Sequence, residues 1–203
     1  MKTVNSRLHC RASMVGWFSR TVVAMTIRMP RWFVGWVSRR YVAGSTLEDA
    51  VKVMKRLSKE GACFTIDVLG EEISTMEEAQ FFLEEYQRVI SAIIDNKLDS
   101  NLSIKPTAFG LLLDKDKGMQ NIEAIVKMAH SHNMFVRLDM EDHRVTDDTI
   151  EVMLEMHEKG LTNVGVVLQG RLFRTLDDIK SIEEKIGPKA DYRICLLYTS
   201  PSP

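Results

Sequence analysis

The sequence predicts an α/β fold of repeating strand and helix units, and three observations carry that expectation. Four short apolar runs each close on an ionisable or amide side chain: Cys63 to Val68 on Asp67 and Glu71, Leu102 to Ile104 on Lys105, Met134 to Leu138 on Asp139 and Glu141, and Val164 to Leu168 on Gln169. Each run is followed by apolar residues at helical spacing. The closing residues Asp67, Lys105, Asp139 and Gln169 stand 38, 34 and 30 positions apart, and each interval can hold a βαβ crossover, which needs roughly 30 residues. Polar groups at the C-terminal ends of successive strands are where such folds place their chemistry.

Composition narrows the function classes. With 45% hydrophobic and 27% charged residues the chain belongs with globular rather than disordered proteins. Basic residues number 27 against 28 acidic ones, a balance that gives no support to a nucleic-acid binder. Cys10, Cys63 and Cys195 are odd in number, far apart and without metal spacing, which fits a reducing compartment.

Residues 1 to 44 read as a basic, aromatic helical segment. Trp17, Phe18, Trp32, Phe33 and Trp36 mix there with seven arginines between Arg7 and Arg40, and no apolar run approaches the roughly 20 residues of a spanning helix. Such a segment can dock on its own protein, lie on a membrane surface or address the chain to a compartment.

The elements follow in order. Trp32 to Tyr41 is expected to be helical and closed by Gly44. Ser45 with Glu48 forms a capping box, and Val51, Met54 and Leu57 then recur at helical spacing up to Gly61. After the first strand, Ser74 and Glu77 form a second capping box before a long helix carrying Phe82, Tyr86, Val89, Ile90 and Ile93. Pro106 ends the next strand, since proline removes a ladder donor and restrains its predecessor. Leu111 to Leu113 form an apolar connection, and Ile122, Ile125, Val126 and Ala129 mark the following helix. Thr146 starts a helix with Ile150, Met153, Leu154 and His157, terminated by Gly160. Thr175 with Asp178 opens the last, bearing Leu176, Ile179 and Ile182, and Arg193 to Leu197 offers a fifth strand. A doubly wound sheet and a TIM barrel both fit this order; a full barrel typically takes about 250 residues, so a barrel here would be little more than half of one.

Strand alternation gathers the polar residues. Cys63, Thr65 and Asp67 share one face, as do Arg137, Asp139 and Glu141. Lys105, closing a strand before Pro106, suits a ligand carboxylate or a structural salt bridge to Asp67 or Asp139. Asp139 divides in the same way, and Asp67 and Glu71 also suit a helix N-terminus. The Gln169 amide suits a heteroaromatic edge such as a flavin ring, or a backbone contact. His130, His132, His143 and His157 lack zinc spacing, and Asp139, Glu141, Asp142 and His143 form a local magnesium candidate without a phosphate motif; no metal is expected. Glycine-rich dinucleotide and Walker signatures are absent.

Four strings in order carry a resemblance: Phe64-Thr-Ile-Asp-Val-Leu-Gly-Glu71, Ser103-Ile-Lys-Pro-Thr-Ala-Phe-Gly110, Val136-Arg-Leu-Asp-Met-Glu141 and Val164-Gly-Val-Val-Leu-Gln169, followed by Phe173-Arg-Thr-Leu-Asp177. From about Val42 to Cys195 the chain resembles the FAD-dependent proline dehydrogenase family, especially its bacterial single-function members. The resemblance implies a distorted (β/α)8 barrel, of which residues 45 to 195 supply the first half as four to five β/α units after N-terminal helices. It implies oxidation of L-proline to 1-pyrroline-5-carboxylate on FAD, with electrons passed to a membrane quinone. Lys105 would hold the proline carboxylate, Asp139 would sit beneath the flavin and substrate as an electrostatic member, and Gln169 would hydrogen-bond the flavin. Asp67 and Glu71 would organise the mouth. A cytoplasmic enzyme working at the inner face of the membrane is implied.

The pattern departs at the end. Tyr192-Arg-Ile-Cys195 matches the family's fifth strand, whereas residues 196 to 203 do not and are expected to be a non-native tail. The 203-residue chain alone is therefore expected to have little flavin-dependent activity. Two competing readings are a TIM-barrel aldolase or lyase with Lys105 as Schiff-base amine, and a non-catalytic α/β interaction module.

Overall fold

The computed structural model describes residues 29–38, 41–70, 73–141 and 143–196. Two compact units divide the chain, Met1–Ala50 and Val51–Pro203. In the first, helix α1 spans Arg31–Ser38, where the sequence predicts a helix up to Tyr41; residues 39 and 40 lie outside the described residues, and Trp32 lies edge-on to Phe33 at 5.8 Å. Most of the basic, aromatic segment of residues 1 to 44 lies outside the described residues, as do 197 to 203. Among the described residues no helix is long and apolar enough to cross a membrane.

Helix α2 spans Leu47–Ser58. The second unit then alternates strictly: β1 Phe64–Ile66, α3 Met76–Asp95, β2 Ser100–Ile104, α4 Lys115–His130, β3 Val136–Leu138, α5 Thr146–Glu158, β4 Val164–Gln169, α6 Thr175–Ile186 and β5 Tyr192–Cys195. All five strands are parallel, and they lie side by side in chain order. A doubly wound sheet reverses its strand order at a switch point; these strands do not. Right-handed crossovers in one direction keep the connecting helices α3 to α5 on one face of the sheet, with α6 leading to β5 in the same way, and the sheet curls into a half-barrel. Of the two folds the sequence leaves open, the structure has the barrel-like one.

Burial follows the alternation. Leu102, Ile104, Val136, Leu138, Val164, Val166 and Leu168 face the helices and are closed to solvent. Against them lie Tyr86, Ile90 and Ile93 of α3, Ile122, Ile125, Val126 and Ala129 of α4, and Val152, Met153 and Met156 of α5. The sequence pattern finds the first two stripes. On α6 it holds only in part: Ile182 is closed to solvent and Ile179 half-buried, whereas Leu176 is 70% exposed. Among the described residues β5 is the last strand and forms one edge of the sheet.

Both capping boxes sit one residue later than the sequence suggests. Thr46 Oγ1 accepts from the Asp49 amide and Asp49 Oδ2 from the Ser45 amide. Ahead of α3, Thr75 Oγ1 accepts from the Glu78 amide and Glu78 Oε2 from the Ser74 amide at 2.7 Å. The chemistry of the box is as expected; adjacent Ser-Thr and acidic pairs made two registers available. Gly160 does end α5, at φ +82°, a left-handed position that favours glycine. His157 serves structure: it is buried, and its Nε2 donates to the Val164 carbonyl at 3.0 Å.

The inner face is polar, and its lower row depends on a missing side chain. Arg137 of β3 pairs in register with Gly165 of β4, and it reaches across that glycine to Asp191 just before β5, Nη1 to Oδ1 2.5 Å. Arg137 also stacks over Phe135 at 4.7 Å. A Cβ on Gly165 would stand 2.6 Å from the Asp191 carbonyl, 2.8 Å from Arg137 Nη1 and 2.9 Å from Phe135. Gly165→Ala is therefore expected to cost about 1–3 kcal/mol of stability, read as an earlier urea midpoint at unchanged slope; an unaltered midpoint would show that the glycine is not needed for the crossing.

Candidate active site

The C-terminal ends of β1 to β5 bring the predicted residues to one mouth. Register places Ile104, Leu138 and Val166 side by side and Val167 beside Arg193, so the next inward positions on β2 to β5 are Lys105, Asp139, Val167 and Arg193. Two cations flank a carboxylate, with one apolar residue between. Arg193 reaches over Val167 to Asp139, Nη2 to Oδ1 2.6 Å. The same Oδ1 accepts from Ser103 Oγ at 2.8 Å, and the Asp139 amide donates to the Ile104 carbonyl at 2.9 Å, which fixes the residue at both ends.

Lys105 turns towards β1. Its Nζ lies 2.6 Å from Asp67 Oδ2, with side-chain exposures of 18% and 30%. Of the two salt-bridge partners the sequence offers Lys105, the structure uses Asp67, and Asp139 takes Arg193. Glu71 lies outside the described residues.

Behind Asp67 stands Tyr86, from the core stripe of α3 and 1% exposed. Its hydroxyl is 2.8 Å from the Ser103 carbonyl and 3.2 Å from Asp67 Oδ1, and it accepts from the Val68 amide at 3.1 Å. Burial above all, aided by the charges of Asp67 and Asp139 and opposed by the Val68 amide, pushes the phenol far above its ordinary range and keeps it protonated.

The other side of the mouth is held by Glu141 and Gln169. Pro106–Phe109 makes a buried 3-10 turn directly after Lys105, and Glu141 accepts from the Thr107 amide at 2.9 Å and from Thr107 Oγ1 at 2.5 Å. Glu141 thus ties the β3 loop to the turn that presents Lys105. Gln169 closes β4, where its carbonyl accepts from Thr175 Oγ1 at 2.6 Å while its side-chain amide makes one long contact, 3.4 Å, to the Met140 carbonyl. Among the described residues no group of three metal-ligating side chains occurs, and Asp142, one member of the magnesium candidate, lies outside them.

Ser103, Arg193, Thr107 and Tyr86 do not stand out as site residues from sequence alone. Alternation places Ser103 on the inner face with Lys105, a signal that was available. Tyr86 is hidden in an apolar helical stripe, where a phenol reads as core.

A parallel half-barrel with charged residues at its C-terminal mouth places the chain among the (β/α)-barrel folds. The family model described as "Proline dehydrogenase" matches residues 50–194, and the chain belongs to that family. It is 37% identical over 147 residues to Proline dehydrogenase 1 of Bacillus subtilis subsp. natto, covering 72% of this chain and 48% of that protein. With the proline dehydrogenase of Deinococcus radiodurans it shares 32% over 152 residues, 73% of this chain and 49% of the relative. The chain spans about half the length of the curated relatives it matches. In fold it is similar to the crystal structure of proline utilization A from Bdellovibrio bacteriovorus inactivated by N-propargylglycine, with a TM-score of 0.67 and 22% identity over 77% of this chain and 20% of that one.

Tyr86 gives a pH test. Its folded-state value is raised, so the folded chain holds the phenolic proton more tightly than the unfolded chain does. The resulting stability is fully present below the unfolded value of about 10 and is lost progressively as pH rises above it. Urea midpoints measured from pH 8 to 11 are expected to fall more steeply above pH 10 for the wild type than for Tyr86→Phe. Parallel curves would show that this phenol is not held protonated by the fold.

Proposed function

We propose that this chain carries the substrate-anchoring half of a proline dehydrogenase, which oxidises L-proline to 1-pyrroline-5-carboxylate and delivers the electrons to a membrane quinone. The observation that carries the reading is Lys105, an ammonium at the mouth of a barrel-like sheet, on the C-terminal end of β2, in a chain of this family. Lys105 receives the proline carboxylate through a charge-assisted bond. Asp67 holds the ammonium in place beforehand, and the Glu141 to Thr107 bonds fix the turn behind it. Asp139, set between Lys105 and Arg193, places a carboxylate at the centre of the mouth that favours the positive charge developing on the ring nitrogen as the neutral amine of proline becomes an iminium.

The donor set fits FAD. The Gln169 side chain, committed only to a long contact, has an amide N–H and an oxygen for the edge of a flavin ring, and Arg193, with its side chain 48% exposed, offers further N–H donors beside it. When bound, FAD supplies the acceptor for the hydride leaving the proline carbon next to nitrogen. Gln169 and Arg193 orient the ring, Lys105 orients proline, and the apolar Val167 between Asp139 and Arg193 keeps water from that stretch of the face.

Five parallel strands supply one side of a wall that closes with eight. The 203-residue chain by itself is therefore expected to show no proline-dependent dye reduction. A Schiff-base role for Lys105 is disfavoured, because an amine committed to a 2.6 Å ion pair lacks the lone pair that role needs.

A chimera tests the reading: residues 50–194 replace the matching segment of the Bacillus subtilis relative, and proline-dependent reduction of a dye is measured with FAD bound. The chimera is expected to turn over, and its Lys105→Met variant to lose about 10- to 100-fold in kcat/KM for proline, the worth of one charge-assisted bond. A folded, flavin-loaded chimera that ignores proline, or one indifferent to Lys105→Met, overturns the assignment.

A further inference from the structure

Tyr86 belongs to the core by burial and to the mouth by its hydroxyl. The ring is wedged against Phe109, centroids 5.4 Å apart, which leaves the oxygen little freedom to move. The Val68 amide donates to that oxygen, fixing it from the β1 side. A phenol has one proton to give, and two acceptors face it: the Ser103 carbonyl at 2.8 Å and Asp67 Oδ1 at 3.2 Å. Asp67 uses its other oxygen, Oδ2, for Lys105. The carboxylate therefore bridges a rigid hydroxyl and a flexible ammonium. Without the hydroxyl, Asp67 could turn about its own side-chain bonds, and Lys105 would turn with it.

We propose that Tyr86 is a positioning residue for the reaction at the mouth: its oxygen is held by the Val68 amide, its one proton is shared between the Ser103 carbonyl and Asp67 Oδ1, and that shared bond fixes the rotamer of Asp67 and through it the place of the Lys105 ammonium. The proposal rests on the reading of Lys105 as the anchor for the substrate carboxylate, and it adds a residue two steps behind that anchor. It predicts an effect confined to one lysine and transmitted by one carboxylate.

The test is residue-resolved acylation of lysines in the 203-residue chain by an N-hydroxysuccinimide ester of acetic acid, rates being read from peptide masses. Acylation needs the amine released from its partner, so Lys105 reports the hold of Asp67, and Lys159, paired with Glu123 between α4 and α5, is the internal reference. In Tyr86→Phe, Lys105 is expected to react about three- to tenfold faster, the worth of one hydrogen bond, with Lys159 unchanged. In Asp67→Asn the acceleration is expected to be larger, and adding Tyr86→Phe to it to give no further increase, because the hydroxyl acts through that carboxylate. Asp67→Glu, at a part-exposed position, guards against a Tyr86→Phe chain that does not fold. It keeps the charge but carries the carboxylate away from the hydroxyl, and Lys105 is expected to react as fast as in Tyr86→Phe. An unchanged Lys105 rate in Tyr86→Phe or in Asp67→Glu, additive effects in the double variant, or equal acceleration of Lys159 overturns the proposal. No substrate or flavin enters the measurement, so its result and that of the chimera assay fail independently.

Discussion

An ammonium and a carboxylate 2.6 Å apart at the ends of two neighbouring strands govern the layout of this mouth. A part-buried lysine without a partner would cost several kcal/mol, so β1 and the loop after it must bring Asp67 to β2. That loop in turn is held by the Val68 amide on Tyr86, and Tyr86 is held by the core that α3 makes with the 3-10 turn. The charge pair, the phenol and the helix packing are one connected arrangement. The same economy recurs one strand on, where Asp139 gathers Ser103 and Arg193, and lower in the sheet, where Gly165 leaves room for Arg137 to reach Asp191.

This arrangement follows from strand order. Because all five strands are parallel and laid down in sequence, every strand's C-terminal end opens on the same side, and residues 30 to 40 positions apart become lateral neighbours. A sheet of this order brings a cation and a carboxylate onto adjacent strands without any long-range loop.

Much of this was legible in the sequence, and the exceptions have physical reasons. The apolar runs and capped helices mark four strands and most of the helical stripes, because period 2 and period 3.6 are strong signals in Leu102 to Lys105 or in Ile122 to Ala129. Lys105, Asp139 and Gln169 were legible as strand-end residues. Which carboxylate Lys105 takes was not, since Asp67 and Asp139 flank it equally in sequence and only sheet geometry separates them. Tyr86 was hidden because its ring obeys the core pattern while its oxygen does not. Leu176 misled because helical spacing says which residues share a face, not whether another element covers it. The capping boxes slipped by one residue because adjacent Ser-Thr and adjacent acidic residues, Glu48-Asp49 and Glu77-Glu78, offer the same motif in two registers.

The central claim is that the Lys105 ammonium is a seat for a carboxylate, with Asp67 holding it ready. The most direct measurement is a crystal structure of the chimera with its flavin first reduced, so that no turnover follows, and then soaked with L-proline. The account requires the proline carboxylate within hydrogen-bonding distance of Lys105 Nζ, on the concave side of the sheet. A proline bound elsewhere, with Lys105 still engaged by Asp67 and away from the carboxylate, would contradict it.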